Sequence, residues 1–155
     1  MAIMLKYGSI KGDVQESTHE GFVELASFSV SSSRSVRNNS QSMREIGLPS
    51  ISEITIKKHI CSASPLMIQS VLTGKGELAE FHFTRTSPNG LETICVYKLE
   101  DALLTSHSFS ADSSENMGES FTISFTKIDI SFKKIDSQGK VTNNTAIAFD
   151  FKKMK

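Results

Sequence analysis

At 155 residues and 38% hydrophobic content, the chain has the length of one domain, and a domain of that size buries about 70% of the surface its unfolded chain exposes. Seventeen basic residues balance seventeen acidic ones, which excludes a strong field steering the chain onto nucleic acid or an anionic membrane and favours a protein partner. The two cysteines, Cys61 and Cys95, make no secreted disulfide framework and read as buried thiols of a protein made in a reducing compartment.

In chain order, the opening "MAIMLKYGSIKGD" lacks the basic start and apolar core of a signal peptide, and no later run approaches the ~18 apolar residues of a membrane span. The expectation is a soluble chain with no conventional export address. Ile3–Tyr7 alternates as a strand. The following "GDVQESTHEG" carries Asp13, Glu16, His19 and Glu20, oxygen and nitrogen donors without EF-hand or zinc spacing, so a solvated loop is expected over a metal site. Phe22–Val30 is the next strand. Residues 31–50 hold seven serines and no clear period; a structureless segment of that length reads either as disorder or as a partner-binding arm, with its scattered apolar residues favouring the arm.

Ile51–Ile60 alternates again, with His59 and Cys61 close by but no second ligand pair. Residues 65–73 switch to helical spacing. Ser64 suits the cap, Pro65 the first turn and Gly74 a left-handed stop, with Met67, Ile68, Val71 and Leu72 on one apolar face. The "TGKGE" that follows lies at a helix C-terminus, where the dipole repels anions, so it reads as a stop and a turn with no phosphate role.

Leu78–Arg85, Leu91–Leu99, Leu103–Phe109 and Thr145–Phe151 complete the short strands, and His82 alternates with Phe81 and Phe83 so as to point away from their core. In "ESFTISFTKIDISFKKID" two alternating runs meet at a phase slip, Thr126-Lys127, which fits a bulge bending one long strand. Many short strands between turn signals imply an all-β barrel or sandwich. No G-x-S-x-G elbow presents a nucleophile, and Arg34, Arg37 and Arg44 have no interleaved aromatics for nucleic acid. The lysines of "FKKMK" suit a charged tail or an edge guard.

Three stretches in order resemble the hemolysin-coregulated protein (Hcp) family of the bacterial type VI secretion system. "YGSIKGDVQESTHEGFVELASFSV" (7–30) is similar to the family's opening strand, G-x-x-K-G-[DE] turn, histidine and second strand. "SASPLMIQSVLTGKGELAEFHFTRT" (62–86) is similar to its lone helix and the strand after it. "ESFTISFTKIDISFKKIDSQGK" (119–140) is similar to its long late strand with the same phase slip. Phe28 stands where the family commonly has tryptophan, and the chain has none.

The resemblance implies a single domain over 1–155: a mainly β fold, a β-barrel of two antiparallel sheets with one short flanking α-helix (about 65–73) and a long extended loop (about 31–50). It implies a structural, non-enzymatic tube subunit that forms homo-hexameric rings stacking into a hollow tube. Its partners would be further rings, a spike protein, the sheath and effector proteins carried in the lumen. It would be made in the cytoplasm and secreted through the type VI system without a signal peptide, with no cofactor, metal, catalytic residue, nucleic acid or membrane insertion. On this reading Val36, Met43, Ile46 and Leu48 are the ring-stacking contacts of the loop. Ser27 and Ser29, alternating with Phe28 and Val30, face the lumen. A small-ligand β-barrel carrier is the alternative, and an enzyme using His19 or His107 ranks third.

Overall fold

The computed structural model describes residues 1–38 and 44–155. In chain order it has β1 (Ala2–Tyr7), β2 (Val23–Leu25), β3 (Ser27–Ser29), β4 (Ser32–Asn38), β5 (Arg44–Ile51), β6 (Ile54–Lys58), α1 (Ser64–Thr73), β7 (Glu77–Ser87), β8 (Gly90–Ala111), β9 (Met117–Ser124), β10 (Lys127–Ile135) and β11 (Val141–Asp150). The fold is mainly β with one short flanking helix, as the alternating apolar pattern predicts. Among the described residues no helix is long and apolar enough to cross a membrane.

Antiparallel pairing runs β2-β1-β7-β8-β9-β6-β3, with β10 lying on β8 and β11 on β10. The two ends of that order, β2 and β3, are separated in the chain by Ala26 alone, whose N–H donates to the Lys57 carbonyl at 2.7 Å. The order thus returns along the chain to where it began and wraps a single core. Leu5, Tyr7, Ile54, Ile56, Phe81 and Phe121 are each at most 1% exposed there. Burying an aromatic or aliphatic side chain of this size contributes about 1.5–3 kcal/mol. Phe28 closes one end, edge-on to Phe81, Phe83 and Tyr97 at centroid distances of 4.9, 5.0 and 5.2 Å. Its half-buried packing leaves Ser27 and Ser29 exposed on the other face.

Where strands were expected to divide and join, the structure reverses the pattern. Leu91–Leu99 and Leu103–Phe109 are one strand, the 22-residue β8. Its first half pairs with β7 and β10 and its second half with β9. It bends at Asp101, which takes φ 54°, and its register slips between Leu104 and Ser106. The expected long bent strand across 121–132 is instead two. β9 pairs with β6, β10 pairs with β11, and the slip at Thr126-Lys127 marks where the chain leaves one sheet for the other. A bulge and a change of sheet both reverse side-chain parity.

Residues 31–50 also differ from a structureless loop. The described part forms a two-stranded ribbon, β4 on β5, in a sheet of its own. Ser31 N–H donates to Ser52 Oγ and Ser52 N–H to the Ser31 carbonyl, at 2.9 and 2.8 Å, which pins its base.

The helix occupies the expected place with different ends. Its cap is Ala63, without a side-chain bond, and Ser64 is its first residue. The Ser64 hydroxyl instead accepts from the Cys61 N–H at 3.0 Å. Met67 is buried and Ile68 and Val71 half-buried against the core, but Leu72, expected on that face, is 76% exposed. Gly74 is extended at φ −78°, not left-handed. Glycine is needed because a Cβ there would lie 2.5 Å from the Ser70 carbonyl oxygen. The cysteines are free thiols, each half-buried where full burial was expected, and burial pushes the Cys95 thiol up from its ordinary value.

Candidate functional site

Three features stand apart from the core: the projecting arm, a hydroxyl-lined sheet face, and polar clusters set into the fold. On the arm, Val36 lies directly opposite Ile46, and Leu48 follows on β5 across a bulge that turns it to the other face of the ribbon. They are 46%, 55% and 77% exposed. Met43 lies outside the described residues. The ribbon is bulged opposite Ser35, where Gly47 and Leu48 of β5 face that one residue of β4, and Gly47 leaves room for the Ser35 hydroxyl, which a Cβ would meet at 2.0 Å. A two-stranded ribbon is marginal in water by itself, and here its aliphatic side chains face solvent.

Ser27 and Ser29 belong to a face four strands wide. Register places Ser29 beside Thr55, Thr122 and Ser106, and Ser27 beside Lys57, Ser120 and Ser108. Hydroxyls bond across the strands, Ser106 to Thr122 at 2.6 Å and Ser108 to Ser120 at 3.1 Å. Lys57 is the one charge in these two rows. The inward side of the same strands carries Ile54, Ile56, Phe121 and Ile123, all buried, so strict alternation separates an apolar core from a small, polar exterior.

The same inward parity brings two charges inside. Lys58 and Glu119, with side chains 0% and 1% exposed, form an ion pair at 2.5 Å. Lys58 Nζ also donates to Ser64 Oγ at 2.8 Å, Ser64 Oγ donates to Glu119, and His107 Nε2 lies 3.0 Å from Glu119 Oε2. Burial alone would raise the Glu119 carboxyl, but bonds from Lys58, Ser64 and His107 outweigh it and hold it below its ordinary range. The cluster joins β6, β8, β9 and the start of α1.

His19, expected in a solvated loop, is 2% exposed. Its Nδ1 lies 2.6 Å from Glu16 Oε2, and its Nε2 lies 3.1 Å from both His82 Nδ1 and Thr93 Oγ1. His82 does point away from the core, as expected, into this cluster. Bonds from Thr18 and then His19 lower the Glu16 carboxyl to about 2. Asp13 accepts from the Ser62 backbone and hydroxyl. No group of three or more His, Cys, Asp or Glu among the described residues is placed to share a metal ion.

A family model described as "Type VI secretion system effector, Hcp" matches residues 4–132. No curated protein matches the chain in sequence. Among solved structures, one titled "Structure of a type six secretion system protein" superposes with TM-score 0.92 at 14% identity, covering 99% of this chain and 98% of the other. Mutant Hcp1 from E. coli EAEC 042 pathovar gives 0.80 at 20% identity, covering 97% and 99%. Hcp1 from Salmonella typhimurium gives 0.76 at 21% identity, covering 98% and 95%. These likenesses agree in fold, and the family model spans most of the chain: the protein belongs to the Hcp family of the type VI secretion system.

Proposed function

We propose that the whole chain, residues 1–155, acts as one domain that forms homo-hexameric rings, and that these rings stack into a hollow tube carrying effector proteins. The tube would engage a spike protein and the sheath, and leave the cytoplasm through the type VI system. Hcp is a family of secreted tube proteins and not of enzymes. The observation that carries the reading is the arm, a ribbon outside the core whose Val36, Ile46 and Leu48 are exposed. A heterologous contact that closes by rotation gives a ring, and an arm reaching past the ring's edge joins one ring to the next. The inward side chains pack on one another in a single cluster, where a small-ligand carrier would line a chamber with them.

Sedimentation and end-on electron microscopy test this directly. A protomer of 17.0 kDa is expected to sediment at several times that mass as annular particles. A 17.0 kDa species alone across a wide concentration range would refute the reading.

The hydroxyl face is the surface assigned to the bore, with Ser27 and Ser29 in it. Short hydroxyl side chains hold cargo through many weak, replaceable bonds and so let it go. Ser29→Trp is expected to leave rings intact and reduce the effector that co-purifies with them. Unchanged retention in intact rings would place Ser29 elsewhere.

A further inference from the structure

Residues 11–22, between β1 and β2, fold over the outer side of the β1–β7–β8 sheet. The segment is tied to itself by Gly12 N–H to the Gly21 carbonyl at 2.7 Å, Gly21 N–H to the Val14 carbonyl at 2.9 Å and Phe22 N–H to the His19 carbonyl at 3.0 Å. Its side-chain hold on the sheet centres on His19, which touches His82 of β7 and Thr93 of β8. Phe22 packs edge-on to both histidine rings at 5.1 and 5.0 Å.

The polar groups form a line: Glu16 Oε2 to His19 Nδ1 at 2.6 Å, His19 Nε2 to His82 Nδ1 at 3.1 Å, and His82 Nε2 to Glu80 Oε2 at 3.1 Å. Ionised carboxylates only accept, so both end nitrogens, His19 Nδ1 and His82 Nε2, must carry hydrogen. The central contact needs one more. Three hydrogens on four ring nitrogens make one imidazolium and one neutral imidazole. With two hydrogens, the Thr93 hydroxyl at 3.1 Å can donate to His19 Nε2 but the lone pair of His82 Nδ1 still faces that nitrogen, or one carboxylate meets a bare nitrogen. With four, two N–H groups collide at the centre.

We infer that His19 and His82 share a single extra proton that clamps residues 11–22 onto β7 and β8, and that entry of a second proton in acid releases the segment. Around it, Glu80 is flanked in register by Lys6 of β1 and Lys98 of β8, the latter with Nζ at 3.9 Å from its carboxylate, while Met4 of β1 lies opposite His82 and beside Glu24 of β2. Burial pushes His82 below its ordinary value of 6.5, Glu80 pulls the other way, and the charges of His19 and Lys98 add to the lowering. The sign follows from proton counting. The clamped state binds fewer protons at His82 than the released one, so as pH falls below about 6.5 the balance shifts toward release.

Two measurements test the clamp. Nitrogen-15 shifts of the ring nitrogens at pH 7 should show three protonated nitrogens across His19 and His82, and two neutral rings would overturn the inference. Glu80→Gln supplies a donor to His82 Nε2, which completes the line with two protons, so this variant should show two neutral rings; an unchanged imidazolium signal in it would also overturn the inference. Amide exchange over residues 12–22, corrected for intrinsic rates, should lose protection between pH 7 and pH 5, by at most about tenfold per pH unit for a one-proton difference. His82→Phe keeps a ring against Phe22 without a titrating group and should abolish that dependence. Protection that is pH-independent in the natural chain, or that still falls in His82→Phe, would refute the clamp.

Discussion

Glu119→Ala is expected to lower the free energy of unfolding by about 3–5 kcal/mol, the loss typical of removing one partner from a buried ion pair. Lys58 has no exposed side-chain surface and Glu119 only 1%, so without the carboxylate the ammonium is stranded in the core with Ser64 Oγ as its remaining recorded partner. His107 loses its partner in the same step. Urea unfolding at neutral pH measures the change. Replacing both members together, as Lys58→Met with Glu119→Leu, removes the desolvation penalty and should recover most of the loss. A loss below about 1 kcal/mol for Glu119→Ala would mean that water reaches the site and the pair is effectively exposed. Acid gives an independent check. The Glu119 carboxyl is held below its ordinary 4.5 in the folded protein, so its contribution is present above that value and fades as pH falls through the lower native one. The alanine variant should lack that part of the acid sensitivity.

That pair was legible in the alternation, because Lys58 has the parity of Ile54 and Ile56, and Glu119 that of Phe121 and Ile123. Reading every charged strand residue as solvent-facing hides it. Other features were beyond local pattern. His19 is buried by partners 63 and 74 residues away, and nothing within "QESTHEG" signals them. The arm escaped assignment as strands because period two is visible only where one face is buried, and β4 is exposed at all seven positions. Glu100 and Asp101 look like a turn between two short strands, yet β8 passes through them, because a bend at one left-handed residue redirects a strand without ending its pairing. What alternation did reveal, the mainly β fold and the outward placement of Ser27 and Ser29, rests on strands with one side in the core.

Replacing Val36, Ile46 and Leu48 together by serine is expected to abolish tubes while leaving rings and the protomer intact. The three side chains lie on a ribbon in a sheet of its own and are exposed, so substitution removes little from the core, and protomer stability should change by no more than about 0.5 kcal/mol per site. Docking against a neighbouring ring is different. At about 25 cal/mol per Å² of apolar surface, each side chain contributes roughly 1–2 kcal/mol when covered, and the loss is repeated at every arm of a ring. Contacts made by several arms at once act as linked binding events, so their combined loss is far steeper than that of one. Deleting residues 36–46 should reproduce the result, since the base of the arm stays pinned by Ser31 and Ser52. Side-on electron microscopy distinguishes single rings from stacks, and protein reaching the culture medium reports whether the assembly still works in cells. If the triple variant stacks and is secreted like the natural chain, the arm is not the joint between rings. If rings themselves disappear, the arm closes the ring instead of joining one ring to the next.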